Sequence, residues 1–143
     1  MQASVLVVED ESLIAMLIED HLAELGYDVA PAVSTVAEAL GAIDSRKPDV
    51  ALLDVNLGGT MSFPVADALR ERGIPFLFLT GYGRAGIPAA YADCLVLQKP
   101  FRRRELEVHL ARLANAAGAN GAAVMAAWQE GDASGAGASI GRE

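Results

Sequence analysis

At four places the chain sets reactive or charged side chains at or just after the end of a short apolar run. Glu9-Asp10 follow Ser4–Val8, Asp54 ends Val50-Ala51-Leu52-Leu53, Thr80 ends Ile74–Leu79, and Lys99-Pro100 follow Cys94–Leu97. Together these supply three carboxylates, a hydroxyl and an ammonium. A lone ionised carboxylate inside an apolar run is costly to bury, so Asp54 calls for a partner. Three clustered carboxylates repel one another and raise each other's pKa unless a cation joins them. An all-oxygen set suits Mg²⁺, which commonly works beside phosphate. Lys99 adds a fixed positive charge, and the Thr80 hydroxyl can bond a phosphoryl oxygen. Phosphoryl transfer asks for little more than in-line positioning and neutralisation of the equatorial oxygens. His21 and His109 stand apart from these residues and offer no zinc-like cluster.

The elements that would position this set are legible from periodicity. Ser4–Val8 reads as a strand buried on both faces. Ile14, Leu17, Ile18, Leu22 and Leu25 have helical spacing, with Gly26 as the stop. Tyr27–Val33 reads as a second strand. Thr35-Val36-Ala37-Glu38 is a capping-box pattern opening a helix with Val36, Leu40 and Ile43 on one face, ending before Lys47-Pro48. Asp49–Val55 reads as a third strand. After a Gly58-Gly59 turn, Ser62 can cap a helix with Pro64 in its first turn. Ile74–Thr80 and Cys94–Leu97 complete five strands. Between them Gly83, Gly86 and Pro88 predict a short or irregular fourth helix, and Leu106, Leu110 and Leu113 give the last helix its apolar stripe.

This alternation predicts an α/β fold: a doubly wound, five-stranded parallel sheet with helices on both faces. Such sheets gather functional residues at the carboxyl ends of their strands, where all four reactive or charged positions fall. The spacing predicts a domain over residues 1–115 and a Gly/Ala-rich, flexible tail over 116–143, in which Trp128 stands out.

Composition narrows the partners. The net charge of −8, with 19 acidic against 11 basic residues, argues against nucleic-acid binding. The single Cys94 excludes an internal disulfide framework and fits a reducing compartment. No leader pattern and no membrane-length apolar stretch is apparent, so a cytoplasmic protein without a membrane partner is expected. Arg102-Arg103-Arg104 reads as a solvated run, with contact to an acidic partner surface as the alternative.

Glu9-Asp10, Asp54, Thr80 and Lys99-Pro100-Phe101 resemble, in order and spacing, the signature of response-regulator receiver domains of the CheY-like superfamily, over residues 4 to about 115. The resemblance implies a flavodoxin-like strand order 2-1-3-4-5 and a cis Lys99-Pro100 bond. It implies Mg²⁺ held by Glu9, Asp10, Asp54 and the backbone carbonyl of Asn56. Asp54 would accept the phosphoryl group, with Lys99 as the phosphoryl contact and Thr80 as the switch hydroxyl. A sensor histidine kinase or a histidine phosphotransfer protein would be the donor, and a downstream protein target would receive the signal. The domain would act as a stand-alone receiver, a monomer or weak homodimer, catalysing only its own phosphorylation and dephosphorylation.

Two departures stand out. Receivers usually carry an aromatic residue three positions before the lysine, where this chain has Val96. Pro75-Phe76-Leu77-Phe78-Leu79-Thr80-Gly81-Tyr82 resembles the Pro-Phe-x-Phe-Ala-Thr-Gly-Tyr motif of the FAT GUY receiver subgroup, with Leu79 in place of the alanine. Tyr82, leading the 81–88 loop, is therefore a candidate switch residue in place of the missing aromatic.

Two rivals share the architecture. A haloacid-dehalogenase-type phosphatase also uses a strand-end aspartate and Mg²⁺, but needs a second acid where Asn56 stands. A flavin or nucleotide domain needs a phosphate-cradling loop after the first strand, where Glu9-Asp10-Glu11 would repel the ligand.

Overall fold

A computed structural model describes residues 3–117, with side chains as far as residue 113. Five parallel strands form the sheet: β1 (Ser4–Val8), β2 (Asp28–Val29), β3 (Val50–Asp54), β4 (Phe76–Thr80) and β5 (Leu95–Gln98), in the order β2-β1-β3-β4-β5. Helices α1 (Ser12–Glu24), α2 (Val36–Arg46), α3 (Phe63–Glu71) and α4 (Arg103–Ala117) cover its faces. The last helix runs past residue 115, and the tail with Trp128 lies outside the described residues from residue 118 on.

Alternation along the strands builds two cores. Leu6, Val8, Leu53 and Phe78 face α2 and α3, meeting Ala39, Ala42, Ile43, Val65, Ala66 and Leu69. Val5, Val7, Leu52, Leu77 and Leu79 face α1 and α4, meeting Ile18, Leu22, Leu106, Leu110 and Leu113. The two central strands β3 and β4 are buried throughout, as near-continuous apolar runs in a parallel sheet should be.

Three local expectations are corrected. The second strand keeps only Asp28–Val29 and a bridge from Val33 to Val8. Pro31 has no N–H for a ladder, its carbonyl accepts from Arg46, and the next N–H, of Ala32, turns to Glu19 at 2.7 Å. Helix α2 buries Ala39, Ala42 and Ile43, leaving Leu40 at the surface, because small residues let the helix lie close to the sheet. Its cap is where the sequence puts it: Thr35 is the N-cap and accepts from Glu38 N–H, while the Glu38 carboxylate also accepts from the N–H and hydroxyl of Ser34. Ser62 precedes α3 but makes no capping bond, and its buried Oγ has no partner.

Between β4 and β5 no α-helix forms. Two 3₁₀ turns, Gly83–Gly86 and Ala89–Tyr91, take its place. The second is tied to α3: Tyr91 donates to Asp67 at 2.6 Å and stacks on Phe63 at 5.0 Å between centroids. Arg70 adds bonds to the Ala90 carbonyl and the Asp93 carboxylate.

Candidate functional site

The carboxyl ends of β1, β3, β4 and β5 bring the charged residues together, because the parallel register aligns the ends. Val8 pairs with Leu53, Asp54 with Leu79, and Thr80 with Gln98, one residue before Lys99. Oxygens of Glu9, Asp10 and Asp54 all lie within 4.8 Å of one another. Lys99 Nζ stands 3.2 Å from Glu9 Oε1 and 3.2 Å from Asp54 Oδ2. The lysine is aimed by its backbone: Lys99 N–H donates to the Thr80 carbonyl at 2.7 Å, and the Lys99-Pro100 bond is cis.

Charge explains the electrostatics of this group. Burial pushes the Glu9 carboxyl up to about 7; the Glu11 N–H at 3.1 Å opposes the rise and repulsion from Asp54 adds to it. Burial likewise raises Asp54, against the pull of Lys99. Burial acts to lower Lys99, but Asp54 and Glu9 together outweigh it, and its pKa is raised. One ammonium therefore leaves a carboxylate cluster with two buried members, Glu9 and Asp54, undercompensated. Hard oxygen donors with surplus negative charge fit a divalent cation, and Glu9, Asp10 and Asp54 would hold it.

Asp10, Asp54 and Lys99 line a cavity of about 820 Å³. Thr80 lies in its wall, and Thr80 Oγ1 accepts a 3.0 Å bond from Tyr82 N–H, leaving its own O–H free to donate. Asn56 also lines the cavity, and its side chain is committed elsewhere: Oδ1 accepts from Gly59 N–H at 2.6 Å. That bond closes a feature read from the sequence only as a turn. Asn56–Leu57 and Thr60–Met61 pair as a small antiparallel hairpin around Gly58 and Gly59, both at positive φ. A side chain at Gly58 would meet Asp10 Oδ2 at 3.4 Å, so the hairpin lies directly against the acids.

The two residues singled out for switching fall differently. Val96 is partly buried in β5, on the face shared with Tyr91 and Phe78. The Tyr82 side chain is 81% exposed, so its tie to Thr80 runs through the backbone. His21 lies 4.0 Å from the Glu24 carboxylate, and His109 bonds the Glu105 carbonyl of its own helix. Arg103 pairs with Glu24 at 2.7 Å rather than standing free. Cys94 is buried, and Arg70 donates to its Sγ at 3.2 Å. No helix among the described residues is long and apolar enough to cross a membrane.

Fold and site define a doubly wound domain with an acid-floored cleft at the switch point of its sheet. Residues 5–111 match the response regulator receiver domain family, and the chain belongs to it. It is 36% identical over 108 residues to the positive alginate biosynthesis regulatory protein of Pseudomonas aeruginosa, which covers 72% of this chain and 44% of that protein. The chain spans about half the length of the curated relatives it matches. Among solved structures, SdrG of Sphingomonas melonis Fr1 is 45% identical with a TM-score of 0.69, covering 77% of this chain and 94% of that one. The receiver domain of the sensor histidine kinase PA1611 of Pseudomonas aeruginosa, solved with a magnesium ion in its active-site cleft, is 25% identical with a TM-score of 0.68. That match covers 80% of this chain and 99% of PA1611's.

Proposed function

We propose that the domain takes a phosphoryl group onto Asp54 from a phosphohistidine of a sensor histidine kinase or histidine phosphotransfer protein. It then signals to a downstream protein target in the cytoplasm. The observation carrying this is Lys99 Nζ at 3.2 Å from Asp54 Oδ2, on the floor of an open cleft with Asp10 and Glu9 alongside. The magnesium-bound cleft of the PA1611 receiver and the SdrG likeness, which takes in nearly all of that chain, support the same reading.

Asp54 is the nucleophile: an Oδ attacks phosphorus, and the bond to the donor nitrogen breaks in line on the opposite side. Glu9, Asp10, Asp54 and the backbone carbonyl of Asn56 would hold Mg²⁺, which when bound would supply charge neutralisation for the phosphoryl oxygens. Lys99 exchanges its contact with the Asp54 carboxylate for one with a phosphoryl oxygen. Thr80 donates its free O–H to another. Since the Thr80 oxygen also holds Tyr82 N–H, a shift of that hydroxyl reaches the 81–88 loop, which carries the signal outward.

Incubation with acetyl phosphate and Mg²⁺ followed by peptide mass mapping tests the chemistry. A phosphoryl mass gain on the Asp54 peptide, absent in Asp54→Ala, is expected. Labelling elsewhere, or none, overturns the assignment.

A further inference from the structure

The segment between β4 and β5 is held in two unlike ways. Its second turn is anchored: Tyr91 is buried, donates to Asp67 and stacks on Phe63, and Arg70 bonds Ala90 and Asp93. Its first turn, Gly83–Gly86, buries no side chain. A segment with so little buried apolar contact stays in place through its polar contacts.

Arg84 supplies two of them. Its Nη1 donates to the Ala92 carbonyl at 3.1 Å and its Nη2 to the Cys94 carbonyl at 3.0 Å. Cys94 belongs to the framework, buried and one residue before β5. The rigid fork of a guanidinium suits such a double bridge, which the single ammonium of a lysine does not span. Gly83, at φ +59°, lies against the last residue of β5, where a side chain would meet Gln98 Oε1 at 3.3 Å. The turn is thus fastened along β5, at its entry by Arg84 and at its exit by Gly83.

The other end of the turn reaches the site. Tyr82 N–H is held by Thr80 Oγ1 at 3.0 Å, and the Tyr82 carbonyl accepts from Ala85 N–H at 3.3 Å inside the turn. To meet a phosphoryl oxygen on Asp54, the Thr80 hydroxyl must carry the Tyr82 N–H along or give it up. Arg84, two residues on, resists the first course. The cost of leaving an N–H without its partner opposes the second.

We propose that Arg84 is a latch opposing activation: closed on the Ala92 and Cys94 carbonyls, it keeps the Thr80 hydroxyl back from the acceptor site. This rests on the phosphoacceptor reading of Asp54. Latch closure and a phosphoryl group on Asp54 then compete for the position of one turn, and each weakens the other by the same factor. Arg84 acts as a positioning residue, set apart from the side chains that line the cleft. The sign of its effect is diagnostic. Removing a cation weakens the binding of an anion by Coulomb's law, whereas removing a latch strengthens it.

The test titrates beryllofluoride with Mg²⁺, an unreactive stand-in for the phosphoryl group, into wild type, Arg84→Ala, Arg84→Lys and Arg70→Gln, followed by amide and carbonyl NMR. Arg84→Ala is expected to bind about fivefold more tightly than wild type, the lower end of typical couplings between sites. Arg84→Lys, holding one carbonyl at a time, should fall between the two. Arg70→Gln loosens the anchored turn instead, so it should melt earlier yet bind with wild-type affinity. Saturating wild type should also move the Ala92 and Cys94 carbonyl resonances toward their positions in unliganded Arg84→Ala. Arg84 is exposed, and thermal melts check that its variants fold. Should Arg84→Ala unfold, tightening in Arg84→Lys decides the question in the same way. Affinity in the Arg84 variants equal to or weaker than wild type overturns the latch. Equal tightening in Arg70→Gln overturns it too, because general loosening of the segment then explains the gain. Failure of wild type to bind beryllofluoride at Asp54 overturns the acceptor reading and the latch with it.

Discussion

Tyr82 is bound to Thr80 through its main chain: its N–H donates to Thr80 Oγ1 at 3.0 Å while its ring stays 81% exposed. A displacement of the Thr80 hydroxyl therefore acts directly on the backbone N–H that opens the loop. The sequence had pointed to the Tyr82 side chain as the reporter. The structure adds a backbone link between Tyr82 and Thr80 beside that reading.

The first prediction follows directly. Addition of Mg²⁺ and beryllofluoride, a phosphoryl mimic, should displace the Tyr82 and Gly83 amide resonances in wild type and in Thr80→Ser, which keeps a hydroxyl. Thr80→Val, which removes both the acceptor and the donor, should lose most of that displacement. Tyr82→Ala keeps the N–H and should retain it. A wild-type response in Thr80→Val would disconnect the hydroxyl from the loop.

A second prediction concerns the metal. Glu9, Asp10 and Asp54 carry more negative charge than Lys99 alone offsets, so a divalent cation should stabilise the fold. An ion that binds only the folded state adds about 2.7 kcal/mol at a hundredfold excess over its Kd. Thermal melting with Mg²⁺, then with excess chelator, should show a gain of several degrees that the chelator reverses. Asp10→Asn should lose the gain while keeping its own fold. An equal gain in Asp10→Asn would place the ion elsewhere.

The third concerns pH. Tyr91's bond to Asp67, together with burial, raises its phenol to about 12. A folded pKa above the ordinary 10 means that the contact's stabilisation is complete below pH 10 and disappears as pH climbs from 10 to about 12. Absorbance titration near 295 nm should therefore contain a late tyrosinate step that Tyr91→Phe removes. Asp67→Asn should bring that step to lower pH, since the charged acceptor is gone. A titration of Tyr91→Phe superimposable on wild type in this range would refute the assignment.

How far the sequence spoke can be judged element by element. Strand ends were readable because an acid or a lysine after a β-branched run has little structural reason to be there. The register of a parallel sheet then forces Glu9, Asp54, Thr80 and Lys99 to one edge. The hairpin was not readable, because Asn56-Leu57 and Thr60-Met61 are too short to show any period. Nor was the tie of the second 3₁₀ turn to α3, since Tyr91–Asp67 and Arg70–Asp93 join residues more than twenty positions apart. Leu40 misled because α2 presses its alanines to the sheet, where a leucine would hold it away.

Ser62 supplies the last prediction, where helix-capping propensity and structure disagree. A serine just before a Phe-Pro helix start reads as an N-cap, and loss of such a cap ordinarily costs about 0.5–2 kcal/mol. Here Ser62 is fully buried, its Oγ bonds nothing, and only its backbone is used: its N–H donates to the Val55 carbonyl and its carbonyl accepts from Val65 and Ala66. A buried hydroxyl without a partner is a desolvation cost that alanine does not bear. Alanine also leaves the backbone bonds to Val55, Val65 and Ala66 in place. Ser62→Ala should therefore be neutral or stabilising, by up to about 1 kcal/mol in urea denaturation. A loss of 1 kcal/mol or more would show that the hydroxyl does cap α3 in solution.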